Sequence, residues 1–375
     1  MSSPGTATWQ ELLAAGPDEP KVAVTWRVLR RGGQPFLYLP THNRAAVRAL
    51  DLYPAQTRKA RLAKALLTLS YRFGLLARGG GETFSLPTQN SFLASLARTA
   101  SLPAGQIPTF AVLAGNPHAP GRRYVFLLFG PEANPVAVVK AGNTASAHEL
   151  IQHEAALLRE LGGRRKALPQ LRDESVCGEV AAFSTEFIAG SSPAGESSEM
   201  LASILTAWVD ESHAVKLSEL PAWQRLLKTE ATAPLPEGVI TLTSQRVRPV
   251  LFHGDLAPWN VKVAAGRWTV LDWERGERLG MPGWDWLHFV LQPAILVQRA
   301  GPAKMIAVLE RLFAAPEFAR YAALTGIAGQ EWSWAAAYLC YCLRITRQTE
   351  GANRLQPLLQ TILDRTPFKP TATNQ

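Results

Sequence analysis

The spacing of apolar residues changes several times along the chain, and each change marks an expected element. From Lys21 to Arg30 apolar positions alternate (Val22, Val24, Trp26, Val28), the chain turns through Arg31-Gly32-Gly33-Gln34, and Phe36-Leu37-Tyr38-Leu39 follows. An alternating run, a glycine pair and a second apolar run together predict a β-hairpin. Over 43–53 and 56–78 the spacing becomes helical. In the second of these, Leu62, Leu66, Leu69 and Phe73 share one face, Arg58, Arg61, Lys64 and Arg72 lie mostly elsewhere, and Gly79-Gly80-Gly81 ends the run. That apolar face is expected to pack against its own domain; a basic amphipathic helix over 56–78 also suits peripheral contact with an anionic surface.

From residue 106 the pattern turns to strands: Ile107–Ala114, Tyr124–Phe129 and Val136–Lys140. A helix is expected over Thr144–Leu161, where Ser146 and Glu149 are spaced as a capping box. Two more strands are expected around Val176–Val180 and Phe183–Ile188. Beyond Gly190 the chain reads as helical, with a β-rich interruption over 249–274. Three segments result: 1–105, an α+β extension; 106–190, an antiparallel sheet with one inserted helix; and 191–375, mainly helical.

Composition narrows the class. With 375 residues, 47% of them hydrophobic, the chain can bury a large core and is not a disordered polymer. Its longest apolar runs, such as Trp334–Leu343, are too short to span a bilayer. No charged start, apolar stretch and small-residue cleavage site opens the sequence, so a cytoplasmic location is expected. Cys177, Cys340 and Cys342 have no disulfide or zinc spacing and read as free thiols. The net charge is +9, and residues 1–105 hold 13 Lys/Arg against 5 Asp/Glu, so nearly all of the excess lies there. That asymmetry fits either an anionic partner or a solvated basic face; interleaved aromatics are few, so no clear nucleic-acid partner is indicated.

Candidate chemistry is concentrated in Leu251-Phe-His-Gly-Asp-Leu-Ala-Pro-Trp-Asn260 and Val270-Leu-Asp-Trp-Glu274. His253, Asp255, Asn260 and Asp272 are polar residues among strongly apolar neighbours, Gly254 and Pro258 mark a loop, and Asp272 closes the apolar run Trp268–Leu271. Two short strands flanking that loop would bring Asp255, Asn260 and Asp272 to one place. Two carboxylates and an amide, oxygen donors without cysteine, suit Mg²⁺ better than zinc.

The combination His-x-Asp-x-x-x-x-Asn, followed by Asp in a Leu-Asp-Trp-Glu context, resembles the aminoglycoside phosphotransferase and choline kinase group, which shares the protein-kinase-like fold. Gly280-Met-Pro-Gly-Trp-Asp-Trp-Leu287 is similar to the segment that follows the metal-binding Asp in that group, and the resemblance spans about residues 106–345. It implies an α+β, bilobal kinase-like fold, with an antiparallel sheet lobe holding one helix and a mainly helical lobe, here preceded by the small α+β segment. It implies a kinase using ATP or GTP with Mg²⁺, and an alcohol acceptor: an amino alcohol, a sugar or an aminoglycoside. Asp255 would orient the acceptor hydroxyl or take its proton, and Asn260 and Asp272 would hold Mg²⁺. Lys140 would contact the α/β-phosphates with Glu154 as its partner. His253 would brace the catalytic loop, Asp285 would anchor it from below, and the backbone of Glu186-Phe187-Ile188 would meet the adenine.

Each residue also has a plainer reading. Asp255 can cap a turn, Lys140 can end a strand in solvent, and Glu149 and Glu160 share a helix with Glu154. His288 reads as a hydrogen-bonded core histidine, and Trp259 as either loop packing or a pocket wall. Glu196, Glu199, Asp210 and Glu211 could favour a cationic acceptor or simply face solvent. No Gly-x-Gly-x-x-Gly lies between the first two strands after residue 106, only Gly115 and Gly121, so a phosphate-covering role is expected only of backbone amides over 116–121. The alternatives are a nucleotide-binding scaffold without catalysis, which intact Asp255, Asn260 and Asp272 argue against, and a protein acting through its basic first segment.

Overall fold

The alternating segment Lys21–Arg31 (β1) folds back through Gly32-Gly33 onto Gln34–Pro40 (β2), as its period predicts. A computed structural model describes residues 9–13, 19–53, 55–75, 81–115, 121–193, 198–229, 234–345 and 352–365. The chain divides into two units, Met1–Gly163 with Leu168–Ala189, and Arg164–Ala167 with Gly190–Gln375.

In the first unit β2 is followed by α1 (Asn43–Ala49) and α2 (Arg58–Arg72). Next come β3 (Glu82–Pro87), α3 (Ser91–Thr99), β4 (Thr109–Ala114), β5 (Tyr124–Phe129) and β6 (Pro135–Gly142). The unit closes with α4 (Ala145–Leu161), β7 (Leu171–Cys177) and β8 (Val180–Glu186). Among the described residues these eight strands join one antiparallel sheet in the order β3-β1-β2-β4-β5-β6-β8-β7.

This sheet corrects the expected division at residue 105. β2 pairs with β4, Leu37 opposite Leu113 and Tyr38 opposite Val112, so the leading segment supplies three strands of the same sheet. Side chains alternate across it, and each face has its own core. On one face Trp9, Trp26, Tyr38, Phe110 and Phe126 cluster with Phe92, Leu93 and Leu96 of α3. On the other, Leu37, Leu39, Ala111, Leu127 and Phe129 pack with Ala46, Ala49, Leu50 and Tyr71. Trp9, in a 3₁₀ turn at Trp9–Leu13, meets Trp26 edge-on at 5.3 Å and Phe110 at 5.7 Å, and the Trp26 indole N–H donates to the Phe110 carbonyl.

Several local expectations shift. The helix α4 is capped by Thr144, whose extended backbone lets its hydroxyl accept from the Ala147 N–H; Ser146 lies inside the helix, so the expected capping box does not form. The strand expected over Val176–Val180 is broken by Gly178, in the left-handed region at φ 60°, which makes the hairpin turn between β7 and β8. The apolar face of α2 is not packed on its own unit: Leu62, Leu66, Leu69 and Phe73 are exposed, while Tyr71 and Leu67 on the opposite face meet the core beside α1. The loop expected near the phosphates, 116–120, and the tail from Pro367 lie outside the described residues.

The second unit is mainly helical. It holds α5 (Ser198–Ala207), β9 (Val215–Lys216), α6 (Pro221–Lys228), α7 (Glu237–Ile240), β10 (Arg246–Val247) and β11 (Val250–Phe252). Then follow β12 (Val261–Ala264), β13 (Arg267–Val270), β14 (Glu277–Gly280), α8 (Trp284–Gln292), α9 (Pro302–Ala314), α10 (Pro316–Thr325), α11 (Glu331–Arg344) and α12 (Ala352–Arg365). Among the described residues its strands form three short antiparallel pairs, β9 with β10, β11 with β14, and β12 with β13. Among the described residues no helix is long and apolar enough to cross a membrane.

Trp9 ties the leading segment to the sheet, so Trp9→Ala is expected to lower the unfolding free energy by about 3–5 kcal/mol, as for other buried aromatic truncations. Urea unfolding checks this; a loss under about 1 kcal/mol would show that the aromatic cluster does not depend on it.

Candidate functional site

The three buried residues of β11 deliver the chain to His253, and Gly254 then turns it. Gly254 has φ 78°, and a Cβ there would sit 2.8 Å from the Arg275 carbonyl oxygen, so this position accepts only glycine without a shift of backbone. Pro258–Asn260 forms a 3₁₀ turn, and the β12–β13 hairpin sets Val261 opposite Val270. The pairing places Asn260 beside Leu271, whose N–H donates to the Asn260 carbonyl at 2.7 Å. Asp272 follows at once, in the left-handed region at φ 71°. For a residue other than glycine that conformation costs on the order of 1 kcal/mol, strain of the kind that collects at functional sites.

His253 fastens the two halves of this arrangement. Its Nδ1 accepts from the Asp255 N–H at 3.1 Å, and its Nε2 lies 2.8 Å from the Leu271 carbonyl, which can only accept. The ring is therefore the neutral Nε2–H tautomer. Burial lowers its pKa to about 4, so it stays neutral near pH 7. The Trp273 indole packs edge-on against the imidazole at 4.7 Å and donates its own N–H to the Val270 carbonyl.

Asp285, near the start of α8, accepts from the His253 N–H through Oδ2 at 2.7 Å and from the Gly254 N–H through Oδ1 at 3.0 Å. Burial pushes its carboxyl up to about 7 against these two donors, which pull it down. One turn along the same helix face, His288 brings Nε2 to 3.0 Å from Asp255 Oδ1, and its Nδ1 meets the Tyr338 hydroxyl at 2.9 Å. Burial would raise the Asp255 carboxyl, but the hydrogen bond and charge of His288, with Arg275 behind them, outweigh it and hold Asp255 below the ordinary carboxylate value. The Asn260 Nδ2 donates to the Asp255 carbonyl at 2.9 Å and lies 3.4 Å from its Oδ2. Because Nδ2 is committed there, Oδ1 is the Asn260 atom able to meet a cation.

The first unit holds a second cluster. Lys140 on β6 and Glu154 on α4 form an ion pair, Nζ to Oε2 2.6 Å and to Oε1 2.8 Å, with the carboxylate almost fully buried. The ammonium also lies 5.9 Å from the Phe183 ring, its neighbour across β6 and β8. Glu154, rather than Glu149 or Glu160, is thus the helix residue paired with Lys140 among the described contacts. Glu186 closes β8 opposite Ala137; Phe187 and Ile188 lie past the ladder, and Phe187 packs on the core cluster of Leu37 and Leu39.

The residues expected to act together therefore form two groups: His253, Asp255, Asn260, Asp272 and Asp285 in the second unit, and Lys140 and Glu154 in the first. Asp210, weighed as a contact for cationic acceptors, accepts from the Ser212 N–H and hydroxyl in a local turn, and Glu196 lies outside the described residues. His288 is the residue that sequence reasoning placed in the core without its partner. Its spacing of three from Asp285 on an apolar helix was the available signal.

No protein-family model matches the chain, and no curated protein matches it. Solved structures are similar to it. A thermostable mutant of aminoglycoside phosphotransferase APH(4)-Ia, in a ternary complex with AMP-PNP and hygromycin B, is 14% identical, with 73% of this chain and 98% of that one covered and a TM-score of 0.47. An aminoglycoside-3'-phosphotransferase of type VIII is 17% identical, with 62% and 96% covered and a TM-score of 0.37. These structures come from the group that the motif resembles.

The neutral His253 has a consequence for stability. Between its ordinary value of 6.5 and its folded value of about 4 the native state binds fewer protons than the unfolded chain, so its contribution is lost as pH falls through that window. The unfolding free energy of the wild type relative to His253→Gln is expected to drop by about 3 kcal/mol between pH 7 and 4. Chemical unfolding at a series of pH values tests this; a pH-independent difference would mean the imidazole is not held neutral.

Proposed function

We propose that the chain transfers the γ-phosphoryl group of a magnesium-bound nucleoside triphosphate, ATP or GTP, to a hydroxyl of a small molecule. The observation that carries this reading is the double hold on Leu271. Asn260 takes its N–H and His253 reaches its carbonyl, so Asp255, Asn260 and Asp272 are fixed along one short stretch of the second unit. The Asn260 amide oxygen and the Asp272 carboxylate are hard oxygen donors, the set that fits Mg²⁺. When bound, that ion supplies neutralisation of phosphate charge.

The chain's own residues supply positioning. Asp255 receives the acceptor hydroxyl by a hydrogen bond. As the hydroxyl oxygen bonds to Pγ, the bond from Pγ to the β–γ bridging oxygen breaks, the nucleoside diphosphate leaves, and the hydroxyl proton passes to Asp255. A carboxylate held below its ordinary pKa is a weak base, so orientation is its larger contribution, and the proton moves late. His288 restrains Asp255 through Oδ1 and so limits rotation of the carboxylate. Lys140, aimed by the buried Glu154, is assigned to the α- and β-phosphates, and the backbone of Glu186-Phe187-Ile188 to the nucleotide base. The acceptor is proposed to be an amino alcohol, a sugar or an aminoglycoside.

Two substitutions separate the roles. Asp255→Ala is expected to keep magnesium-dependent nucleotide affinity and lose about 10²–10⁴-fold in transfer. Asp272→Ala is expected to lose the magnesium dependence of nucleotide binding as well. Calorimetric titration with each nucleotide, with and without Mg²⁺, and turnover measurement check both. Wild-type turnover in Asp255→Ala, or unchanged magnesium dependence in Asp272→Ala, contradicts the assignment.

A further inference from the structure

Among the described residues nine large apolar side chains are exposed, and five of them lie on α2 and the turn that follows it: Leu62 at 63%, Leu66 at 56%, Leu69 at 47%, Phe73 at 74% and Leu75 at 72%. We infer that α2 is a docking helix that lies flat on an anionic lipid bilayer. This stands whether or not the phosphotransfer reading holds.

At 3.6 residues per turn, Leu62, Leu66, Leu69 and Phe73 fall within roughly 60° of one another around the helix axis. Folding does not need them there, because the opposite side fastens α2 to its unit. Tyr71 is buried in the core cluster with Ala46, Ala49 and Leu50, the Arg27 guanidinium lies 5.1 Å from its ring centroid, and Lys64 pairs with Asp51 at 3.4 Å. A helix that has already buried one face and still shows a continuous apolar stripe is built to bury a second.

Charge decides what covers the stripe. Exposed Lys59 borders it on one side and exposed Arg61 and Arg72 on the other, and residues 55–75 contain no Asp or Glu. A second copy of the same helix would bring these cations against each other. A bilayer with anionic headgroups accepts the Leu and Phe side chains among its acyl chains and the flanking Lys and Arg at the headgroups, the arrangement of an interfacial helix. With 15 residues α2 is about 22 Å long, a length that suits lying in the interface plane.

The test uses the full chain and co-sedimentation with vesicles of phosphatidylcholine alone or mixed with phosphatidylserine. Binding to the serine-containing vesicles is expected to be at least about tenfold tighter, since each flanking cation near an anionic surface is worth about fivefold, and to weaken with salt. Leu62→Ser and Leu66→Ser are each expected to weaken it by about tenfold, with thermal melts unchanged because both side chains are more than half exposed. Lys59→Glu combined with Arg72→Glu is expected to remove the preference for phosphatidylserine. The inference is overturned if neither vesicle binds, if both bind equally, or if the two serine variants bind as the wild type does. It is also overturned if sedimentation velocity shows a dimer that Leu66→Ser dissolves, which would make the stripe an interface between copies.

Discussion

A buried carboxylate under two backbone N–H groups holds the candidate site together. Asp285 takes the amide hydrogens of His253 and Gly254, both pointing into the unit as the chain leaves β11. A buried N–H left without an acceptor costs about 1–3 kcal/mol, so removing Asp285 would release two of them and let the loop reorient. With those donors satisfied, Gly254 takes its left-handed turn, His253 reaches Leu271, and the Asn260 amide closes on the Asp255 carbonyl. Asp255 then needs only a lateral restraint, which His288 supplies from the same helix that carries Asp285. One helix face thus fixes both the path of the loop and the orientation of its carboxylate.

The parts of this arrangement that follow local rules were legible in the sequence. The strand Tyr124–Phe129 is a short unbroken apolar run, the helix after Thr144 carries a helical period, and the polar positions between 253 and 272 stood out against apolar neighbours. What escaped depended on non-local partners. β3 reads Glu-Thr-Phe-Ser-Leu-Pro, with too few apolar positions to mark a strand until β1 supplies its backbone partner. The helical period of α2 was plain, but which of its faces was buried depended on where Tyr71 met the core. His288 looked like any core histidine because its partner, Asp255, lies 33 residues earlier, and only the fold brings them to 3.0 Å. The expected division at residue 105 failed for the same reason: the pairing of Leu37 with Leu113 and of Tyr38 with Val112 leaves no trace in either segment alone.

The leading segment is thereby part of the sheet that carries Lys140. Its strands put Trp26, Leu37 and Leu39 in the core, and its positive charge sits at exposed positions both on β1 (Lys21, Arg30, Arg31) and on α2 (Lys59, Arg61, Arg72). The sheet core and the outward stripe of α2 draw on different residues of this segment, so its stability and its surface chemistry can be altered separately.

Group transfer to an alcohol is tested most directly by following the phosphorus. The full chain is incubated with ATP or GTP labelled at the γ-phosphate, with and without Mg²⁺, over a panel of amino alcohols, sugars and aminoglycosides, and the products are separated. Label is expected in a phosphate ester of at least one hydroxyl compound, formed only when Mg²⁺ is present. Label that stays in the nucleotide, or appears only as inorganic phosphate across the whole panel, would contradict such transfer.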